Sequence, residues 1–400
     1  MNRYFADFHV HVGISENTGQ WVKIPTSRQL TVRNILDTAL QKKGLQIVAI
    51  VDSMSPRVHA DIRHLIDEGS LMPQTGGGYR YHNGVTLLLG AEIETCEEGG
   101  GMCHSLSYLP DLASMQAFSH EMSRHIRNIG LSTQNAHMPL RKLTAIARSH
   151  EALFVPAHIF TPHKSLYGSC VRRMEEILPE AEMVSIAAIE LGLSADTEMA
   201  DRIKQLWGFE FLTNSDAHSP EKIGREYNLI ELAGPSFSEC ALAFRRRSGR
   251  RIVENFGMDP RLGKYHQSCC EKCNTIFADT EAAEKCPTCG GVKLVKGVAD
   301  RIEEISDLSP GSHPDHRAPY CYQIPLHMLP GLGRKTLEKL VDELGTEMDL
   351  IYSVPVPEIE RVGGRRAAAA IEAARSGTAH VLSGGGGIYG KISLADRWDR

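Results

Sequence analysis

The sequence has no run of apolar residues near the length of about 20 that crosses a bilayer. Its first residues form no basic segment followed by an apolar one. We therefore expect a cytoplasmic protein with no membrane partner. Positive charge is not in excess either, because 44 Lys and Arg stand against 49 Asp and Glu. The overall charge therefore gives no support to nucleic-acid binding. Evidence for such binding would have to come from local motifs.

A disulfide framework and a phosphate-binding loop are also missing. The glycine clusters at 75–78 and 97–102 do not open a helix after a strand, so no nucleotide cofactor is expected. Six of the ten cysteines show no pairing pattern and are expected to be reduced thiols. They are Cys96, Cys103, Cys170, Cys240, Cys269 and Cys321.

Acidic residues and histidines recur in residues 1–235 where strands are expected to end. The series is His9, His11, Asp52, Glu92, His104, His158, Asp216 and His218. All except His104 follow short apolar, β-prone runs, which are 4–8, 46–51, 85–89, 153–155 and 209–212. Side chains alternate along a strand, so the two histidines of His-x-His point the same way, as do the two polar residues of Asp-x-His.

These ligand types predict a multinuclear metal site for hydrolysis, because carboxylates and imidazoles together suit Zn²⁺, Mn²⁺ or Fe²⁺. Amphipathic stretches at 31–43 and 115–129 alternate with the apolar runs. This alternation predicts a catalytic α/β barrel over 1–235, whose chemistry would lie at the strand ends. Residues 1–235 contain 21 Lys and Arg against 27 Asp and Glu, so bound cations would offset part of their charge.

Two Cys-x-x-Cys pairs follow the barrel, after a basic linker or helix at 236–264. The basic run at 245–251 could be a solvated helix face or a contact to a phosphate backbone. Twelve residues separate the two pairs, which predicts one closed, structural Zn²⁺ in a module at 265–300. Its ligands would be Cys270, Cys273, Cys286 and Cys289. Cys269 could compete, but only Cys270 gives the two-residue gap.

A helical region at 318–380 contains two similar pieces, each with a glycine-rich turn before a helix, expected at 337–344 and 367–374. Both resemble helix-hairpin-helix elements, in which the turn offers N–H groups to one DNA phosphate. A plain αα-hairpin is the alternative. The candidate DNA-binding residues are Gly331, Gly333, Arg334, Lys335, Gly363, Gly364, Arg365 and Arg366. The glycine-rich tail at 381–400 is too polar to form a core element alone.

With the ligand series, the cysteine pairs and the hairpins in this order, the chain resembles endonuclease Q. That family belongs to the PHP (polymerase and histidinol phosphatase) superfamily of metal-dependent phosphoesterases. The matching motifs are Asp7-Phe-His9-Val-His11, Gly90-Ala-Glu92, Cys103-His104, Pro156-Ala-His158, Ile189-Glu190-Leu-Gly192 and Asn214-Ser-Asp216-Ala-His218. The resemblance covers essentially the whole chain. It implies a distorted (β/α)7 barrel that cleaves DNA on the 5′ side of uracil, hypoxanthine, xanthine or an abasic site.

The chain departs from the wider PHP pattern at two positions that concern a third metal ion. Many members have a histidine soon after His-x-His, where this chain has Gly-Ile-Ser-Glu-Asn at 13–17. Many also have Asp-His where this chain has Asp52-Ser53. His59 or Glu16 could substitute. We therefore expect two to three divalent ions in the barrel, Zn²⁺, Mn²⁺ or Mg²⁺, beside one structural Zn²⁺.

Among the candidate ligands, Glu92 is expected to bridge two ions, because a carboxylate can share its two oxygens and an imidazole cannot. One ion would be completed by His9, His11 and Asp216, and the other by His104 and His158. Asp52 and His218 would hold a looser third ion or orient the phosphate.

Glu190 could hold a ligand histidine, bind metal or line a lesion pocket. The expected catalytic set is Asp216, Glu92, His218 and Glu190. Tyr167 and Phe160 follow His158 in a loop that could stack an extruded base, with core packing as the alternative for Phe160.

Three functions compete on these observations. A lesion-specific DNA-repair endonuclease uses every motif, with damaged DNA as partner and a replication or repair protein as a second one. A PHP-type small-molecule phosphatase would need neither the cysteine pairs nor the hairpins. A non-catalytic DNA-binding or polymerase-associated protein would have no reason to keep its acids. A monomer is the default expectation.

Overall fold

The computed structural model describes residues 1–277 and 284–394. Residues 278–283 of the expected zinc module and 395–400 of the expected tail lie outside the described residues. The strands are β1 (Asn2–Val10), β2 (Ile47–Ile50), β3 (Leu71–Pro73), β4 (Tyr79–Tyr81), β5 (Val85–Cys96), β6 (Met102–Leu109), β7 (Leu153–Pro156), β8 (Ile189–Glu190), β9 (Phe211–Leu212), β10 (Tyr227–Leu232), β11 (Arg251–Gly257), β12 (Cys269–Cys270), β13 (Leu294–Val295), β14 (Tyr320–Tyr322), β15 (His380–Leu382) and β16 (Lys391–Ser393). The helices are α1 (Val32–Asp37), α2 (Pro56–Asp67), α3 (Leu112–Met122), α4 (Leu140–Ser149), α5 (Glu180–Met183), α6 (Thr197–Ala200), α7 (Phe237–Ala243), α8 (Val298–Ile305), α9 (Arg334–Leu344), α10 (Glu347–Tyr352), α11 (Val356–Gly363) and α12 (Arg365–Ser376).

Seven strands form a distorted barrel, as the sequence predicts. β1 pairs in parallel with β2 and β2 with β5, and then β6 and β7 join in antiparallel orientation. The N–H of Ala187 donates to Phe154 of β7 (2.8 Å), and β8 pairs in parallel with β9. Ala217 then bridges Val10 of β1 and closes the ring. Strands such as β2 and β7 are buried along their whole length, as expected where both faces of a sheet are covered.

Strand β5 is longer than its apolar run predicts, because it continues to Cys96. Antiparallel pairing with β6 extends from Leu89 to Cys96 and carries the strand through polar residues. Glu92 therefore lies inside a strand and not after one, and His9 likewise lies inside β1.

The main sheet also continues beyond residue 235. β10 pairs antiparallel with β1, β11 pairs antiparallel with β10, and β14 pairs in parallel with β11. The segment 236–264 thus contains α7 and a strand of the main sheet. In the basic run, Arg250 pairs with Glu239 (2.9 Å) and Arg251 pairs with Glu231 (3.1 Å). The run forms the turn after α7 and the first residue of β11, and it is not a helix face.

The two predicted amphipathic helices are shorter or less regular than expected. The first begins at Thr31, whose side chain caps α1, and continues as a π-helical turn to Lys43. Gly44 ends it with φ +81°, a conformation that favours glycine. The second helix, α3, ends at Met122, and the Ser123 hydroxyl donates to the His120 carbonyl there (2.7 Å).

The C-terminal helices α9 to α12 pack around their own apolar core of Leu340, Leu350, Ile359 and Ile371. Helix α10 joins this core to the barrel, because Tyr352 stacks on Phe5 at 5.5 Å between ring centroids. No helix within the described ranges is long and apolar enough to cross a membrane.

The glycine-rich tail folds back on the segment between β11 and the cysteine pairs. The N–H groups of Gly384, Gly387 and Gly390 donate to the carbonyls of Arg261 (2.7 Å), Lys264 (3.2 Å) and Leu262 (2.9 Å), respectively. β15 and β16 pair on either side of this loop. Backbone bonds, and not a core of its own, therefore fix the described part of the tail.

Candidate metal centre

The predicted ligands meet in a cleft of about 520 Å³ at one end of the barrel. It is lined by ligand side chains from separate strands and loops, which are Glu92, His104, His158, Asp216 and His218. His9 and His11 lie fully buried at its base. Residues from five separate parts of the sequence pattern thus converge, because the strands that carry or precede them are neighbours in the ring.

The first ligand group is formed by His9, His11 and Glu92. The Nε2 atoms of the two histidines are 3.1 Å apart, and Asp216 Oδ1 is 3.3 Å from His11 Nε2 and 3.6 Å from His9 Nε2. Each of these imidazoles donates through its Nδ1, so both Nε2 atoms face one point, where a bound ion would displace any proton they carry.

The second ligand group is formed by Glu92, His104 and His158. Glu92 Oε1 is 3.0 Å from His104 Nδ1, 3.5 Å from His158 Nε2 and 3.6 Å from His9 Nε2. His104 Nδ1 is buried and has no hydrogen-bond partner among the described residues. One carboxylate oxygen therefore faces imidazoles of both groups, which is the arrangement that a bridging ligand requires.

Each ligand histidine is held through its second nitrogen, which fixes the tautomer. His9 Nδ1–H donates to both oxygens of Glu190 (3.0 and 3.1 Å), and His104 Nε2–H donates to Glu94 (3.2 Å). His158 Nδ1–H donates to the Thr161 hydroxyl (2.9 Å). Of the three roles considered for Glu190, this contact favours the one that holds a ligand histidine.

Asp52 occupies a different position from the one expected. Its Oδ1 accepts from His11 Nδ1–H (2.9 Å) and from the Ser132 hydroxyl, and its Oδ2 accepts from the Val12 N–H (2.5 Å). Both oxygens are engaged behind His11, so this carboxylate orients a histidine and is not brought to a third ion. The physical reason is that β2 lies beside β1, which puts residue 52 next to the far nitrogen of His11.

A third group joins His11, Asp216 and His218, whose ligand atoms also lie close together. His218 Nδ1–H donates to the Asp216 carbonyl (3.0 Å), and burial lowers the pKa of His218 to about 4, so its Nε2 keeps a lone pair. The suggested substitutes are elsewhere. Glu16 pairs with Arg33 at 3.2 Å, and His59 is not part of any ligand group within the described ranges.

The electrostatics of the cleft fit divalent cations. Burial opposes the charge of Glu92, but Lys23 and His104 hold its pKa well below the usual range. The pKa of Asp216 is likewise well below normal, because His218, His9 and His11 outweigh its burial. Despite the burial of its ring, Glu190 raises the pKa of His9 to about 10. Ionised carboxylates beside oriented imidazoles are the donor set that Zn²⁺ and Mn²⁺ accept.

Two ligands lie in backbone conformations that are uncommon for residues with a Cβ. His158 has φ +30° and Asp216 has φ +44°. Gly192 makes room for the first, since a Cβ on Gly192 would lie 2.8 Å from His158 Cβ. Such outliers cost energy and cluster at functional sites.

The four predicted cysteines converge on one point. The Sγ atoms of Cys270 and Cys289 are 3.6 Å apart, and those of Cys273 and Cys286 are 3.5 Å apart. Sulfurs bound at about 2.3 Å around a tetrahedral Zn²⁺ would lie slightly further apart than this. Cys269 is not part of the group. The geometry fits a structural zinc ion.

The two glycine-rich turns lie next to each other. Gly331 has φ +86° and Gly364 has φ +84°; α12 begins directly after Gly364, and α9 begins at Arg334, three residues after Gly331. A Cβ on Gly331 would be 3.8 Å from Arg366 Cβ. Lys335 and Arg366 are exposed beside the turns, whereas Arg334 is paired with Glu338 (2.9 Å). DNA binding by these residues, and by Gly333, Gly363 and Arg365, stays a prediction.

Tyr167 and Phe160 do not lie where they could stack an extruded base, and of the two alternatives for Phe160 the structure shows core packing. Both are buried in the main core, at 0% and 1% exposure, and Tyr167 donates its hydroxyl to Gln205 (2.7 Å). They pack together inside the loop, with ring centroids 5.7 Å apart.

The cleft contains residues that the sequence pattern did not reveal. Lys23 reaches it from the loop after β1, and Thr133 comes from a loop before α4. Tyr265 and Tyr389 also line it, and Arg225 donates to the Tyr389 hydroxyl (3.1 Å). None of these follows a strand in the way the ligands do, so the pattern of acids and histidines gave no signal for them.

Comparison with known proteins gives matches along the whole chain. A family model described as PHP-associated matches residues 196–248. The uncharacterized protein YqxK of Bacillus subtilis is 42% identical over 393 residues, which cover 98% of this chain and all of that protein. The crystal structure of the lesion-specific endonuclease PfuEndoQ of Pyrococcus furiosus is 32% identical, with a TM-score of 0.83, and the match covers 99% of this chain and 96% of that one. An endonuclease Q complex with a 27-mer duplex bearing an abasic lesion at its active site is also 32% identical, with a TM-score of 0.84 and coverage of 99% and 97%.

Proposed function

The chain belongs to the endonuclease Q family of the PHP superfamily, and we propose that it cleaves DNA on the 5′ side of a damaged base. The lesions would be uracil, hypoxanthine, xanthine or an abasic site. The expected fold class and the expected family are confirmed by the two structures. The identity of the base and the side of cleavage are part of the proposal.

One observation carries the chemistry: Glu92 Oε1 lies within 3.6 Å of imidazole nitrogens from both ligand groups. His9, His11, Asp216 and Glu92 would hold one divalent ion, and Glu92, His104 and His158 a second. Ions bound there would supply Lewis acidity to an in-line phosphodiester hydrolysis. Zn²⁺, Mn²⁺ and Mg²⁺ are the candidates.

The residues of the chain contribute binding and orientation. Asp216 and His218 are the ligands most open to the cleft, at 31% and 30% side-chain exposure, so a substrate phosphate would approach from their side. With Nδ1–H donating to a carbonyl, His218 presents the lone pair of Nε2 to the cleft, where it would accept a proton. Glu190 would hold the ring of His9, and Glu92 would be the ligand that the two ions share.

DNA is the partner that the remaining elements support. The exposed turns at Gly331–Gly333 and Gly363–Gly364, with the cations of Arg334, Lys335, Arg365 and Arg366, would hold phosphates of the duplex. The division into a catalytic barrel at 1–235, a zinc module at 265–300 and a helical domain at 318–380 belongs to this proposal, and the match to the relative with a bound duplex covers 99% of this chain.

The test is incision of a 5′-labelled oligonucleotide with one deoxyuridine, deoxyinosine or abasic site, beside an unmodified control. Reactions would contain Mg²⁺, Mn²⁺ or a chelator. We expect a single cut 5′ of the lesion that the chelator abolishes. Failure to cut any DNA, together with hydrolysis of p-nitrophenyl phosphate, would replace the proposal with a small-molecule phosphatase.

A substitution in the cleft tests whether the incision takes place there. Asp216→Ala should abolish cutting and leave DNA binding within about twofold, because phosphate contacts far from the cleft would hold the duplex. Asp67→Asn changes an exposed carboxylate of α2 and serves as the matched control. Cutting by Asp216→Ala at the control rate would contradict the metal assignment.

A further inference from the structure

A lysine ammonium lies buried among the candidate metal ligands. Lys23 Nζ donates to Glu92 Oε2 (2.7 Å) and to the Thr133 hydroxyl oxygen (2.7 Å), and it lies 3.0 Å from His11 Nε2. Its side chain is 11% exposed. A charge buried to this extent is costly unless it is paired, so the surrounding carboxylates must compensate it.

The Lys23 ammonium lies beside the third ligand group, which has too few ligand atoms to complete the coordination of an ion. The third ligand group, His11, Asp216 and His218, shares one residue with the contacts of Lys23. The chain has no histidine at 13–17 and has Ser53 after Asp52, so that group lacks the donors that would complete an ion's coordination.

The same contacts determine how Glu92 is turned. Lys23 and Thr133 engage Oε2 at 2.7 and 2.6 Å, which leaves Oε1 toward the imidazoles of His9, His104 and His158. A carboxylate held in this way cannot rotate to expose both oxygens to one ion. Lys23 is therefore suited to act on the metal centre through Glu92.

We propose that Lys23 is the third cation of this centre, in place of a third divalent ion, and that it positions Glu92 as the bridge between two ions. The proposal rests on the proposed metal-dependent function for its chemistry, but its main test needs no DNA. It makes the barrel a two-ion site with a fixed ammonium beside it.

Metal content tests the proposal in the full-length protein. The wild type and the variants would be dialysed against excess Zn²⁺, and the bound metal per chain measured by mass spectrometry. We expect the wild type to hold two ions in addition to the one at the four cysteines. Lys23→Ala should hold one more ion than the wild type, because removal of the ammonium leaves the place beside Asp216 and His218 open to a third ion. Lys23→Arg, which keeps the charge, should hold the wild-type number.

A matched control separates this role from a general loss of charge. Lys164 also lines the cleft and pairs with a glutamate, Glu94, at 2.7 Å, but it does not contact Glu92 or His11. Lys164→Ala should leave the metal count unchanged. An unchanged count in Lys23→Ala, or a wild type that already holds three barrel ions, would overturn the proposal.

Incision supplies the second readout. At saturating metal, Lys23→Ala should lower kcat about 10- to 100-fold, the loss usual when a partner of a metal ligand is removed. KM should stay within about twofold, because DNA is held elsewhere, and Lys23→Arg should restore part of kcat. If the wild type cuts no DNA but the metal counts agree, the proposed function fails and the role of Lys23 stands. If it cuts DNA and the counts disagree, the reverse holds.

Discussion

At the scale of single residues, the centre is defined by what lies behind each ligand. Glu190, Asp52 and Glu94 each accept an N–H from a ligand histidine, at 3.0, 2.9 and 3.2 Å. Such partners fix which nitrogen is free and raise the basicity of the ring. The chemistry of the cleft therefore depends on carboxylates that would not touch a substrate.

The Glu190 contact gives the first prediction. Glu190→Gln preserves size but replaces the buried carboxylate at His9 Nδ1 with a neutral amide, so metal affinity should fall about 10- to 100-fold. Competition with a chromophoric chelator measures it. Glu210→Gln, which changes a buried glutamate paired with Arg246 just before β9, is the control and should bind metal as the wild type does. Equal affinities for all three proteins would contradict the assignment.

A buried acid outside the cleft gives the second prediction. Glu226 accepts from the Met258 N–H (2.9 Å), but its Oε2 has no partner among the described residues, and burial raises its pKa well above the usual value. The folded protein therefore holds a proton that the unfolded chain has released, and stability falls as pH rises above about 4.5, by up to about 1.4 kcal/mol per unit.

Glu226→Gln should remove this loss. Its melting temperature should exceed that of the wild type increasingly between pH 5 and 7, and the difference should vanish near pH 4. Thermal unfolding across this pH range measures it, with the exposed Glu180→Gln as control. A constant difference between variant and wild type at every pH would refute the assigned protonation.

The sequence predicted the residues that carry local signals and missed those that depend on loop conformation. His-x-His and Asp-x-His are visible as spacing, since alternation in a strand fixes their direction. Asp52 was identified but misassigned, because only the pairing of β1 with β2 shows which nitrogen of His11 it meets. Lys23 had no local signal, since its reach depends on the course of the loop after β1.

At the scale of elements, strand existence was easier to predict than strand length. The apolar run at 85–89 found β5, but its continuation to Cys96 depends on β6, which no local pattern reveals. The glycine-rich tail was predicted to lack a core, and it instead adopts a loop held by backbone bonds to Arg261, Lys264 and Leu262. Glycine allows this close approach of two backbone segments because it has no side chain to keep them apart.

The tail gives the third prediction. A Cβ on Gly384 would lie 2.4 Å from the Gly390 nitrogen and 2.9 Å from the Gly263 carbonyl oxygen, so Gly384→Ala must displace the loop that carries Tyr389. Because Tyr389 lines the cleft, incision should fall by at least about tenfold while metal content is unchanged. Gly99→Ala, where a methyl group meets no described atom within 4 Å, is the control. Full incision by Gly384→Ala would exclude the tail from the site.

At the scale of the whole molecule, charge is divided between the parts. Residues 1–235 contain 21 Lys and Arg against 27 Asp and Glu, and several of these acids surround the cleft. Approach of a polyanion to such a surface is unfavourable until cations offset it, which bound ions and Lys23 would do. The glycine-rich turns with exposed Lys335 and Arg366 would add phosphate contacts away from the cleft.

This division gives the last prediction, on salt dependence. Each lost phosphate contact reduces the slope of log affinity against log salt by about 0.9 on duplex DNA. Lys335→Ala combined with Arg366→Ala should therefore lower the slope by up to about 1.8 and weaken lesion-bearing and unmodified duplexes alike, since phosphate contacts carry no base information. Fluorescence anisotropy across a salt series measures both effects. Arg361→Ala, which removes an exposed arginine already paired with Glu358 at 2.9 Å, is the control. An unchanged slope in the double variant would place the duplex elsewhere, and a loss confined to the damaged duplex would mean that these residues contact the lesion.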